Sequence, residues 1–148
     1  MKPKVAISSS QKAIRVPRKK IAELVAFVAR AEGARIAEID LAVVASSEIS
    51  SLNRRFLSHA GPTDVLSFDI SESGRGGISA QLVVCGDVAA QQARARRLPA
   101  QRELLLYVTH GLLHLMGYED SSIRGAAKMH AREEELLEGF LGKKVRSA

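Results

Sequence analysis

The sequence predicts an α/β (α+β) fold: a small mixed β-sheet covered by about five helices, with a candidate metal site at the end of one helix. Three observations predict it. Short runs of branched residues alternate with segments whose apolar residues recur at helical spacing. Gly, Pro, Ser and Asp separate these segments. No repeat, low-complexity block or long linker divides the 148 residues, so the expectation is a single domain over 1–148 with a basic tail from about residue 142.

A first strand is expected around Val5 to Ile7. The segment PRKKIAELVAFVARAEG then reads as a helix with Pro17 at its first position, where a missing N–H costs no hydrogen bond. Ile21, Leu24, Val25 and Val28 form its apolar stripe, and Gly33 can close it. Ile39 to Val44 is a strand. Ser46 or Ser47 is placed to cap the next helix, whose inward residues are Ile49, Leu52 and Phe56. After a Gly-Pro turn comes a short strand, Val65 to Phe68, and SESGRGG between Ser71 and Gly77 has the composition of a mobile loop. Ile78 to Cys85 is a further strand ending in Gly86-Asp87, followed by a basic helix with Arg94, Arg96 and Arg97. Pro99 opens a helix that runs to about Leu115, where Gly117 can end it, and the last helix spans roughly Ser122 to Phe140.

Composition narrows the class. With no Trp, two Tyr and four Phe, an array of aromatic platforms for single-stranded nucleic acid is excluded. One cysteine, Cys85, rules out an internal disulfide and suits a reducing compartment. The N-terminal residues lack an apolar signal core, and no segment approaches the roughly 18 apolar residues of a membrane span, so a cytoplasmic location is expected. A formal net charge of +6 favours a polyanionic partner such as nucleic acid, with colloidal solubility as the alternative. Arg94, Arg96 and Arg97, with Lys143, Lys144 and Arg146 in the tail, are either phosphate contacts or solvated faces.

The chemistry concentrates near the end of the fourth helix. His110-Gly-Leu-Leu-His114 places two imidazoles about 6 Å apart along one helix face, able to offer two nitrogens to one ion. Gly117 and Asp120 extend this to H-x-x-x-H-x-x-G-x-x-D, in which the glycine turns the chain so that Asp120 can return as a third ligand. Three protein ligands leave a position for water, the arrangement of a catalytic site, and the donor set suits zinc, with nickel, cobalt or manganese as alternatives. Asp120 has a second reading as the cap of the last helix, shared with Ser121 and Ser122; Glu119 is an outside candidate ligand. His130 faces solvent or a packing contact in this reading, and His59 could approach the site from its loop. Asp64 and Asp87 are either outer residues of the site or turn stabilisers. The metzincin proteases share this spacing but carry a glutamate where Gly111 stands, which weighs against peptide hydrolysis.

Four segments together resemble the bacterial YbeY family of metal-dependent endoribonucleases: Leu52-Asn53, Pro62 to Phe68, Gly86-Asp87-Val88, and His110 to Tyr118. The resemblance covers about Leu41 to Leu141. It implies a bound zinc-like ion; with the spacing above, His110, His114 and Asp120 are its expected ligands and the expected catalytic residues. It also implies a single-strand-directed endoribonuclease in the cytoplasm, acting in 16S rRNA 3′ end maturation and ribosome quality control, with ribosomal RNA precursor and ribosomal subunits as partners. The alternatives are a ribosome-associated RNA-binding protein with a weakened site, or another metal-dependent hydrolase such as a peptidase. This chain departs from the family pattern in several places. Asp120 replaces the third histidine of G-Y-D-H, and Phe56, Leu57 and Ala60 replace the tyrosine, arginine and aspartate of L-N-x-x-Y-R-x-x-D. Leucine cannot donate a hydrogen bond to phosphate; Arg55 and Arg75 are the neighbouring cations that could reach in, which the sequence alone does not establish.

Overall fold

The structure, a computed structural model, describes residues 2–57, 64–72 and 76–146, without the side chains of residues 56, 57 and 143–146. In chain order the elements are β1 (Lys4–Ser9), α1 (Arg18–Glu32), β2 (Ile36–Val44), α2 (Ser46–Leu57), β3 (Val65–Asp69), β4 (Ile78–Cys85), α3 (Gly86–Arg96), α4 (Ala100–Leu115) and α5 (Ile123–Arg146). The strands form one mixed sheet in the order β1-β2-β4-β3. β1 and β4 both run parallel to β2, and β3 pairs antiparallel with β4. The expected small mixed sheet covered by helices is therefore present. His59, Arg75 and the Leu57 side chain lie outside the described residues, as does the Phe56 side chain expected in the α2 stripe.

Strand alternation divides the core between two faces. From β4, Ala80, Leu82 and Val84 point to one face, where Leu24 and Val28 of α1 and Leu105, Val108 and Leu112 of α4 cover them. Val83 and Cys85 point to the other, against Ile49 of α2. A strand flanked on both sides by neighbours and covered on both faces must be apolar at consecutive positions, which is why Leu82 to Cys85 is an unbroken buried run. An irregularity in pairing between Ile36 and Glu38 allows Ile36 and Ile39 to join the same cluster despite their odd spacing.

Two helix starts differ from expectation. Pro17 is the N-cap of α1, with its carbonyl accepting from Ile21 N–H at 2.9 Å, so the helix begins one residue later than its proline implied. Ser46 is already inside α2, and its free N–H is satisfied by the Asp87 carboxylate at 2.7 Å, far away in sequence. Asp87 thus caps α2 from the first turn of α3, a tertiary substitute for the local serine cap. At the other end of the chain the α5 backbone continues to Arg146, beyond the Phe140 expected from apolar periodicity.

The site rests on α4, which is buried on almost every side. Each residue from Glu103 to Leu113 is buried except His110. The helix lies against the sheet at Gly111, where an added Cβ would stand 3.0 Å from Leu82 Cδ2, 3.2 Å from Ser67 Oγ and 3.2 Å from Val65 Cγ2. Gly111 therefore sets how closely the metal-site helix approaches β3 and β4. Alanine in its place gains about 1 kcal/mol of helix propensity but costs about 1–3 kcal/mol in overpacking. Gly111→Ala is expected to lower the thermal unfolding midpoint; a raised midpoint would show that α4 can lift off the sheet freely.

Candidate metal centre

α4 places His110 and His114 one turn apart, with ring centroids 4.7 Å apart and planes at 81°. The helix ends at Leu115. Gly117 then adopts φ 98°, a left-handed conformation that side-chain-bearing residues resist, and donates its N–H to the His114 carbonyl at 3.1 Å. The turn returns the chain over the helix end, so that Asp120 Oδ2 stands 3.7 Å from His110 Nε2 and 3.5 Å from His114 Nε2. Among the described residues these three make the one group of three or more His, Cys, Asp or Glu side chains with ligand atoms all within 4.8 Å of one another.

The donor set fits a divalent ion. The Asp120 separations exceed hydrogen-bond length, but ligand atoms about 2.0–2.2 Å from a tetrahedral metal stand roughly 3.3–3.6 Å apart. The opposite ring nitrogens are already engaged. His114 Nδ1 donates to the Tyr118 carbonyl at 3.2 Å, and because a carbonyl only accepts, that nitrogen carries the proton and Nε2 keeps its lone pair. His110 Nδ1 pairs with Glu133 Oε2 at 2.7 Å, which fixes its tautomer in the same sense. Both lone pairs thus face Asp120.

Glu133 is the residue that sequence reasoning missed. It lies on α5 in the stripe Met129, Glu133, Leu136, Leu137 and Phe140, all buried. An acid in an apolar helical stripe is the signal that could have found it, since a buried charge needs a partner. Its second oxygen lies 3.4 Å from Nδ1 of His130, whose side chain is exposed as expected. Burial depresses the His110 pKa, but the hydrogen bond and charge of Glu133 outweigh it, with Asp64 and Asp120 adding to the effect, so the net shift is upward.

The other sequence candidates divide clearly. The α5 cap is Ser122, whose Oγ accepts from Gly125 N–H at 2.9 Å. Asp120 is thereby released from the capping alternative. Glu119 is absent from the three-residue cluster. Asp64 lines a cavity beside His110, whereas Asp87 caps α2. Arg55 is exposed on α2 and is not among the residues lining that cavity. Among the described residues no helix is long and apolar enough to cross a membrane.

Comparison with known proteins points the same way. The family described as Endoribonuclease YbeY matches residues 6–141. A relative named Endoribonuclease YbeY from Anaeromyxobacter sp. is 40% identical over 113 residues, 74% of this chain and 59% of that relative. The chain thus spans less than two thirds of that relative's length. Another of the same name from Syntrophus aciditrophicus is 32% identical over 139 residues, covering 90% of this chain and 87% of the relative. The solution structure of TM1509 from Thermotoga maritima superposes with a TM-score of 0.65 at 25% identity, over 97% of this chain and 93% of the other.

The Glu133 contact has a measurable consequence. A histidine pKa raised in the folded state adds stability at pH below its unfolded value of about 6.5, and that contribution is lost as pH rises through the raised value. The same proton competes with a metal, so affinity should fall as pH drops through that value. In metal-free Glu133→Gln, the His110 pKa followed by NMR is expected to fall, and zinc affinity at neutral pH to drop about 10–100-fold. An unchanged His110 titration would refute the assignment.

Proposed function

The chain belongs to the YbeY endoribonuclease family, and on that premise we propose that it is a metal-dependent endoribonuclease whose ion is held by His110, His114 and Asp120. The carrying observation is the convergence of two imidazole Nε2 atoms and one carboxylate oxygen, with both Nδ1 atoms already occupied. Zinc is the proposed ion and single-stranded RNA the substrate. The proposed biological setting is 16S rRNA 3′ end maturation and ribosome quality control in the cytoplasm, in contact with the ribosomal subunit. The net charge of +6 supports a polyanionic substrate.

A divalent ion bound there supplies Lewis acidity toward a phosphoryl oxygen and toward water. The chain's own groups set the conditions. Tyr118 and Glu133 hold the imidazoles in the tautomer that presents Nε2, and Asp120 brings a negative charge where the family pattern has a neutral ring. Peptide hydrolysis is disfavoured by the contacts of Gly111. That position, which carries the general base in metzincins, abuts Leu82, Ser67 and Val65 of the sheet, so a glutamate there would point into the packed helix–sheet interface and press those side chains aside.

A binding protein with a weakened site is the second reading, supported by Asp120 and Leu57 in place of the family's histidine and arginine. Incubation of purified protein with a single-stranded rRNA precursor fragment and zinc or manganese separates the two. His110→Ala and Asp120→Ala are each expected to cut the cleavage rate by at least about 100-fold, beyond the ~10–100-fold range of outer-sphere changes. Cleavage unchanged in His110→Ala sinks the enzyme reading. RNA association without cleavage in the wild-type chain, surviving His114→Ala, supports the binding reading. Asp120→His removes one negative charge from the donor set and is expected to move the pH–rate profile toward lower pH.

A further inference from the structure

A cavity of about 400 Å³ opens beside His110, on a side of the imidazole shared with Glu133. Three helices build it. α3 contributes Val88, Gln92 and Arg96 at successive four-residue steps, and α4 contributes Glu103, Tyr107 and His110 along the facing stripe. Among the described residues, Arg96 is the one Arg or Lys side chain that lines it.

The surroundings of Arg96 are unusual for a surface cation. Its guanidinium lies 3.7 Å from Glu103 Oε1, while the Arg96 side chain is 51% exposed and that of Glu103 only 1%. That oxygen has no hydrogen-bond partner. Tyr107 lies one turn along α4 from Glu103, and burial, with the nearby acid, pushes its pKa far above the ordinary tyrosine value, so it stays protonated. Glu103 is therefore a buried carboxylate that keeps an arginine close by charge without occupying its N–H groups. The Arg96 side chain is half exposed in the cavity wall, where its N–H donors are accessible to an anion.

We propose that Arg96 grips the RNA backbone, binding a phosphate that neighbours the scissile one, so that the α3–α4 groove is the track by which substrate enters the metal centre. The inference rests on the ribonuclease reading. Its geometry follows from helix rise: Glu103 and His110 are seven residues apart on α4, about 10 Å along the axis, which places the tethered guanidinium away from the reacting phosphate. The interior is acidic, with Asp64, Glu103 and Glu133 in its wall, so phosphate is confined to the rim where Arg96 is exposed. Arg96, one of the three arginines the sequence offered as phosphate contacts, thus supplies a backbone cation from the end of α3.

The test uses zinc-loaded full-length protein and a labelled single-stranded oligoribonucleotide, with binding measured across a salt series and cleavage resolved into kcat and KM. Arg96→Gln is expected to weaken binding and raise KM about 5–10-fold, to make the log–log salt slope shallower by about 0.7, and to leave kcat within about twofold. Arg96→Lys should keep the slope, since charge alone sets it. Zinc affinity should not change in either variant. Because Arg96→Gln leaves Glu103 buried beside no cation, the double variant Glu103→Gln/Arg96→Gln is measured as well, and the same loss is expected. A wild-type salt slope in Arg96→Gln and in the double variant overturns the proposal. So does a fall in kcat at constant KM, or an equal loss in Arg94→Gln, which would show a diffuse basic field. Unaltered binding in a chain that still cleaves RNA removes this inference and leaves the ribonuclease reading standing; a wild-type chain that neither binds nor cleaves RNA removes both.

Discussion

Burial of α4 against the sheet is the constraint on which the site depends. The helix is surrounded by β3, β4, α1, α3 and α5, and at Gly111 its backbone approaches the sheet closely enough that a single Cβ would press on side chains of two strands. A helix held on all sides cannot rotate, so the direction of each side chain follows from its position. His110 is the incompletely buried residue in the run from Glu103 to Leu113. One turn later, where α4 emerges, His114 shares that exposed face, and the pair is fixed relative to each other by the helix and relative to the sheet by Gly111.

The third donor is held differently. Asp120 follows a turn, and its place depends on Gly117 taking a left-handed conformation, on the Tyr118 carbonyl binding His114, and on Ser122 capping α5. Tyr118 stands beside Glu32, whose carboxylate pushes its pKa up and is itself held by Arg132 of α5 at 2.8 Å. The end of α1 and the body of α5 therefore both hold the segment that carries Asp120. With Asp120 beside the ring nitrogens and Glu133 behind one of them, the centre is negative within a chain of net charge +6. That local excess of negative charge suits a divalent cation.

The elements were largely legible because their signals are local. The branched run Ile78 to Cys85, the αL glycine at position 33 and the apolar stripe of α1 each depend on a few neighbouring residues, and all appear where local rules place them. The errors came where distant residues replaced local ones. Ser46 needed no serine cap once Asp87 arrived from α3, whereas at the start of α5 a local candidate, Ser122, does cap the helix as one of the sequence readings allowed. Gly111 read as a missing catalytic glutamate in sequence; in the fold it is the contact point between helix and sheet.

The sequence by itself determined the fold class and the His110, His114 and Asp120 pattern, because helical spacing and a positive-φ glycine are properties of short segments. Only the tertiary structure decided that Asp120 meets both imidazoles and that Glu133, far along the chain, stands behind His110. It also singled out Arg96 from the neighbouring arginines as the one beside the metal helix. The physical reason is the same in each case. A charge is committed to a role by whatever partner lies within a few ångströms of it, and packing between helices distant in sequence chooses that partner.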